Sequence, residues 1–238
     1  MDCRLVHPFS AAVVGPSQVG KSTLVRNLLE QRKDLFSTEI DDIIWCYDQA
    51  QSTYEGCTGR FVRGVIDPDD LDPAVPHIVI FDDMMGCKDL GRIVDFFTKF
   101  GHHKNCTVFY LCQNMYDQSR GHRAIMLNSH YTFLFRNCRD VQQIARLGRQ
   151  VFPQYKNFLV DSYTDAVSRP YGYLLLDLKP NTPDYLRVRG RLLESDGQDV
   201  YLPKGYKLPI DRRDASFTTP SSSSKDMSLS ESEWCHNA

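Results

Sequence analysis

An α/β fold around a mainly parallel sheet is what this sequence predicts, and three observations predict it. Short, strongly apolar runs recur along the chain as far as Leu178. Stretches whose apolar residues fall at helical spacing separate several of them. A glycine-bearing loop joins the first apolar run to the first helical stretch. Strands that alternate with helices pair in parallel, because each crossover returns the chain to the same end of the sheet.

Residues 11–15, Ala-Ala-Val-Val-Gly, read as a short buried strand, followed by a loop and a helix through about Gln31. Ile43-Ile-Trp-Cys-Tyr47 reads as a second strand. Residues 49–76 are polar and punctuated by Gly, Pro and Asp, which predicts a loop-rich insertion with one short strand near Phe61–Val65. His77-Ile-Val-Ile-Phe-Asp82 is a buried strand that ends in acids. Leu90, Ile93, Val94, Phe97 and Phe100 share a helical spacing. Cys106–Cys112, Tyr131–Phe135 and Tyr173–Leu178 complete the strands, and 140–150 and 153–167 are expected to be helical.

A chain of 238 residues can bury one sizeable core. Its 42% hydrophobic and 24% charged content is that expected of an ordinary soluble globular protein. No apolar run approaches the roughly 18–20 residues that span a bilayer, so no membrane association is expected. Met1-Asp-Cys-Arg-Leu-Val-His7 lacks the pattern of a signal peptide, and the protein is expected to work inside a cell. The eight cysteines are scattered without a CxxC pair, which predicts reduced structural thiols. Of the 28 basic and 30 acidic residues, one Lys and four acids lie in residues 214–238. The remainder is close to neutral, so any nucleic-acid contact must come from local patches or a ring of subunits. Composition shifts at about residue 212 to a Ser-rich tail, which suggests an ordered domain over 1–211 and a disordered segment over 212–238.

Chemistry concentrates in Gly15-Pro-Ser-Gln-Val-Gly-Lys-Ser22, a full match to G-x-x-x-x-G-K-[ST] between a predicted strand and a predicted helix. Gly15 and Gly20 permit a tight turn whose amides face a phosphate, with Pro16, Ser17, Gln18 and Val19 forming the arc. Lys21 reaches the β- and γ-phosphates, the Ser22 hydroxyl suits Mg²⁺, and the helix start through Thr23 adds its positive dipole end. ATP and magnesium are the expected ligands. Asp82 and Asp83 end a buried strand some sixty residues later, where a magnesium-side acid and a water-activating acid belong. Gln113-Asn114 follow the next strand, and read either as a turn cap or as an amide that senses the γ-phosphate. Arg120, Arg123, Arg136 and Arg139 each read as solvated charges, with a transition-state role open to any of them. His102-His103-Lys104 reads as a polar loop, without partners at zinc spacing.

Beyond the loop, a series of segments resembles the FtsK/HerA-type genome-packaging ATPases. The likeness is to those of Maverick/Polinton elements and adintovirus-like DNA viruses, relatives of the poxvirus packaging ATPase. It is carried by His7-Pro-Phe-Ser10, Ile43–Tyr47, Ile80-Phe-Asp-Asp-Met-Met85, Phe97–Asn105 and Tyr110-Leu-Cys-Gln-Asn114. Arg123–Tyr131, Phe135-Arg-Asn-Cys-Arg-Asp140, Tyr171–Asp177 and Pro183–Arg187 follow in order, so that it covers about residues 5–190. The resemblance implies a P-loop NTPase of the additional-strand, catalytic-acid class. It assigns Lys21 and Ser22 to the phosphates and metal, Asp82 to the metal, Asp83 to catalysis and Gln113 to the sensor. Arg123 becomes the preferred arginine acting across a subunit boundary, with Arg136 and Arg139 behind it. The partners implied are double-stranded DNA, a homo-oligomeric ring (a hexamer) and a capsid or portal component, in the host nucleus or at a virus assembly site. The insertion at 49–76 and the stretch His102–Asn105 become candidates for DNA or portal contact. A nucleotide-binding switch, or a host-adopted relic without translocase activity, is the alternative. Gly101 and Cys138 stand where the family usually has Ser and often has Pro.

Overall fold

The structure, a computed structural model, describes residues 3–48, 54, 56–84, 86–117, 119–193 and 198–207, with the backbone alone of His102. All of them but Lys207 belong to one unit that runs from Met1 to Tyr206. The predicted Ser-rich tail over 212–238 lies outside the described residues, as does most of the start of the 49–76 insertion.

The strands are β1 (Ser10–Val14), β2 (Asp42–Tyr47), β3 (Arg60–Arg63), β4 (His77–Asp82), β5 (Cys106–Cys112), β6 (Tyr131–Phe135), β7 (Tyr173–Asp177), β8 (Val188–Gly190) and β9 (Asp199–Val200). The helices are α1 (Lys21–Glu30), α2 (Arg32–Leu35), α3 (Leu90–Asp95), α4 (Gly101–His103), α5 (Arg120–Leu127), α6 (Val141–Val151) and α7 (Phe158–Ala166). The nine strands form one sheet in the order β3-β2-β4-β5-β1-β6-β7-β8-β9. From β3 to β6 every pairing is parallel, and β7, β8 and β9 add on antiparallel. The strand β5 lies between β1, which leads into the glycine loop, and β4, which carries the paired acids. That inserted strand, with the loop between β1 and α1, makes this the α/β P-loop NTPase fold with a mainly parallel sheet flanked by helices.

Both faces of the parallel strands are covered, which is why they read as unbroken apolar runs rather than alternating ones. Ala11, Val13, Trp45, Ile78, Ile80, Phe109 and Phe133 point to a core shared with Leu24, Val25, Leu28 and Leu29 of α1. Ala12, Val14, Ile44, Val79, Phe81, Val108 and Tyr110 point the opposite way, toward Ile93 of α3, Ile125 of α5, Ile144 of α6 and Leu159 of α7. No helix of the described residues is long and apolar enough to cross a membrane.

Three local expectations are corrected. The helical spacing from Leu90 continues through a π-helical turn, Phe96–Phe100, and then α4, so His102 and His103 are helical rather than in a loop. The consecutive rings of Phe96 and Phe97 both reach the core, Phe96 against Phe81 at 5.3 Å and Phe97 against Tyr110 at 6.3 Å. The helix expected over 153–167 begins only at Phe158, and Pro153 instead closes α6 by driving the preceding residue out of helical conformation, Phe152 having φ −127° and ψ 66°. The short strands β8 and β9 were not anticipated.

Candidate functional site

Parallel strands deliver their C-terminal ends to one edge of the sheet, and the chemically interesting loops meet there. β1 stops at Val14, and the amide of Gly15 donates to the Cys112 carbonyl at 3.1 Å, which ties the loop to the end of β5. Gly15 has no room for a side chain: a Cβ there would sit 2.7 Å from Phe135 Cβ and 2.9 Å from Val19 Cγ2. The loop then turns through Gln18 (φ 68°) and Gly20 (φ 99°) into α1. Ser17 and Gln18 are exposed, and Pro16, Val19 and Gly20 are half-buried.

The start of α1 carries no side-chain cap and no acidic residue in its first turn. Amides at such a position, those of Lys21, Ser22 and Thr23, have no acceptor within the helix, and the dipole adds positive potential. That is a built anion cradle. Lys21 folds over it, its Nζ donating to the Gly15 carbonyl at 2.7 Å and the Pro16 carbonyl at 2.9 Å. Burial lowers the Lys21 pKa, and the nearby Asp82, Cys112 and Asp83 oppose that shift.

Asp82 is buried at the end of β4. Its Oδ2 accepts from Ser22 Oγ at 3.0 Å and from the Tyr54 hydroxyl at 3.1 Å. Burial pushes the Asp82 pKa up, while the bonds from Ser22 and Tyr54 and the charge of Lys21 pull it down. Asp83 is exposed and has φ 54°, a left-handed conformation that turns its carboxylate away from the core. Gln113, just beyond β5, donates from Nε2 to Asp83 Oδ1 at 3.3 Å. The strand register explains the meeting: Asp82 lies opposite Leu111, so the residues that follow each strand emerge side by side.

The structure therefore brings Lys21, Ser22 and Asp82 together, with Asp83 and Gln113 paired beside them. Arg123 lies exposed on α5, whose start is capped by Ser119 Oγ accepting from the His122 amide at 3.2 Å. Arg120, Arg136 and Arg139 are exposed as well. Among the described residues, no hydrogen bond or ion pair joins any of these arginines to the cluster. The stretch His102–Asn105 is far from it in the topology. Asn105 precedes β5, at the opposite edge of the sheet, where its Oδ1 meets His7 Nε2 at 2.9 Å.

Two tyrosines at this edge had no role assigned from sequence. Tyr54 comes from the insertion, packs against Trp45, Tyr47 and Phe61, and reaches Asp82. The one signal available was an aromatic residue within an otherwise polar stretch. Tyr171, ahead of β7, stands beside Gly20.

Nothing in this cluster conflicts with a magnesium ion or a nucleoside triphosphate. No group of three His, Cys, Asp or Glu gathers as a metal cage among the described residues. Magnesium at a phosphate loop does not need one, because it keeps water ligands and takes oxygens from the phosphates. A hydroxyl and a buried carboxylate 3.0 Å apart, beside an uncapped helix start, suit that arrangement.

No protein-family model matches the chain, and no curated protein matches it. Among solved structures it is similar to the cytoplasmic domain of the Thermomonospora curvata type VII secretion ATPase EccC, with 12% identity and a TM-score of 0.48. That match covers 76% of this chain and 25% of the other, so the chain spans a quarter of its length. It is also similar to the genome packaging NTPase B204 from Sulfolobus turreted icosahedral virus 2, solved in complex with ATP-gammaS. There the identity is 14% and the TM-score 0.44, covering 85% of this chain and 99% of the other.

Proposed function

We propose that the chain hydrolyses ATP at this edge of the sheet, and that hydrolysis drives double-stranded DNA into a capsid. The observation that carries the hydrolytic part is the meeting of an uncapped, lysine-covered helix start with the half-buried Ser22 on the buried Asp82 and an exposed Asp83–Gln113 pair. The packaging part rests on the resemblance of the sequence segments named above.

In this reading the amides from Gly15 to Thr23 wrap the phosphates, and Lys21 exchanges its two loop carbonyls for phosphate oxygens. Ser22 and Asp82 hold magnesium, which neutralises charge on the phosphates when bound. Asp83 orients the attacking water and takes its proton, and Gln113 holds the Asp83 carboxylate in place. Water adds to the γ-phosphorus as the bond to the β-phosphate oxygen breaks, giving ADP and phosphate. Arg123 is the candidate for an arginine contributed across a subunit boundary of a homo-oligomeric ring, a hexamer in this proposal. The protein would act inside the cell, at a virus assembly site or in the host nucleus, against a capsid or portal component.

Steady-state ATP hydrolysis by the full chain and by Lys21→Ala, each with and without double-stranded DNA, tests this. The expected result is turnover that requires Lys21, rises with DNA and loses its stimulation as salt is raised. Turnover indifferent to DNA would remove the motor and leave an ATPase. ATP binding without turnover would leave the switch or relic.

A further inference from the structure

Tyr171 occupies a backbone position that a tyrosine does not favour. It follows Arg169-Pro170 in a turn closed by the Gly172 amide donating to the Arg169 carbonyl at 3.0 Å. Proline second and a positive φ third is the pattern of a type II turn, whose third position ordinarily takes glycine. Here that position is Tyr171, with φ 59°. The fourth residue must be glycine, because a Cβ on Gly172 would lie 2.2 Å from the Ala166 carbonyl oxygen. The strained residue is nonetheless the aromatic one, and 75% of its surface faces solvent. A bulky side chain held in a left-handed turn without being buried is an outlier that core packing does not explain.

Its place in the fold supplies a reason. β7 runs antiparallel to β6, so the turn ahead of β7 stands at the same edge as the phosphate loop. A Cβ built on Gly20 would come within 3.1 Å of Tyr171 Cδ1. The ring thus borders the residue that leads into Lys21. The polarity of a bound nucleotide follows from the catalytic groups. Asp83 and Gln113 emerge from β4 and β5, on one side of β1, and in the mechanism proposed above the terminal phosphate faces them. The sugar and base of a nucleotide so held point away from that side, and Tyr171 stands on the opposite one, with β6 and β7. Tyr54 cannot serve in its place, since its ring is packed among Trp45, Tyr47 and Phe61 on the acidic side.

We infer that Tyr171 is the stacking platform for the nucleobase, the second half of a site whose phosphate half is the Gly15–Thr23 loop. This rests on the nucleotide-binding reading above. The test is equilibrium binding by calorimetry to the full chain, with magnesium ATP and with magnesium tripolyphosphate, which has no base. Tyr171→Gly removes the ring and suits the turn, so the variant's folding is not at risk. The expected result is a roughly tenfold loss of ATP affinity with tripolyphosphate affinity unchanged, and retention of both in Tyr171→Phe. An ATP affinity unmoved by Tyr171→Gly overturns the inference, and so does an equal loss for both ligands. The underlying reading fails in a different place: there, Lys21→Ala leaves tripolyphosphate binding intact.

Discussion

The two edges of the parallel sheet handle their polar groups in opposite ways. At the edge where the strands begin, polar side chains satisfy one another. His7 joins Thr107 at 2.7 Å and Asn105 at 2.9 Å, Ser10 meets His130 at 2.9 Å, and His77 meets Asp42 at 2.6 Å. At the edge where they end, an uncapped helix, an exposed Asp83 and an exposed Tyr171 face outward. Of the five positive-φ residues other than glycine among those described, Gln18, Asp83, Tyr171 and Arg191 belong to loops at this second edge and Asn105 to the first. One edge spends its polar groups on closing the structure, and the other holds them in strained positions open to a ligand.

That contrast predicts that substituting exposed polar groups at the second edge damages ligand handling first, that substituting a packed residue there such as Gly15 damages stability too, and that substitutions at the first edge damage stability alone. Asp83→Asn should give the largest effect, a loss of about 10²–10⁴-fold in turnover with ATP affinity kept, measured by single-turnover kinetics beside calorimetry. Retained turnover would place the base elsewhere. Gly15→Ala forces a methyl group against Phe135 and Val19, and should cost about 1–3 kcal/mol, read as a lower midpoint in thermal or urea unfolding. Tyr54→Phe removes one of the two donors on Asp82 Oδ2. It should shrink the gain in ATP affinity that magnesium confers by roughly tenfold, and leave metal-free binding alone.

The smallest effect lies at the closed edge. Burial, with lesser contributions from the charges of Lys179 and His77, holds His7 below its ordinary pKa of 6.5, against the opposing bonds from Asn105. The unfolded chain therefore takes up a proton at His7 as pH falls through 6.5, while the folded chain stays neutral until lower pH. Stability present above that value is lost below it. His7→Gln should flatten the fall in melting temperature on acidification through this range and leave nucleotide affinity untouched. A change in ATP binding would break the contrast between the edges.

What could be read from the sequence was local. The phosphate loop is contiguous, so a single pattern between an apolar run and an amphipathic one discloses it. Asp82 and Asp83 announce themselves by interrupting a buried strand, and Gln113 by ending one. Tyr54 and Tyr171 were missed because their meaning is a contact: with Asp82 across 28 residues in one case, and with Gly20 across the whole parallel half of the sheet in the other. No pattern marks such pairs in one sequence. The π-helical turn eluded periodicity for a related reason. Ile93, Phe96, Phe97 and Phe100 all fit a helix of ordinary pitch, so nothing in their spacing marks the wider turn. Strands as short as β8 and β9 exist because β7 offers them an edge.

The central place of β1 also sets a schedule for the chain's birth. Ser10 pairs with Val108, and Ala11 pairs with Phe109 on one side and Tyr131 on the other. At the roughly 5–20 residues per second of ribosomal synthesis, its partners follow by several seconds to tens of seconds. Through that interval the central strand of the sheet waits without the partners that flank it. The glycine loop that hangs from it has no frame until β5 and β6 arrive. Any ligand of that loop can therefore reward the finished fold but cannot guide its early steps.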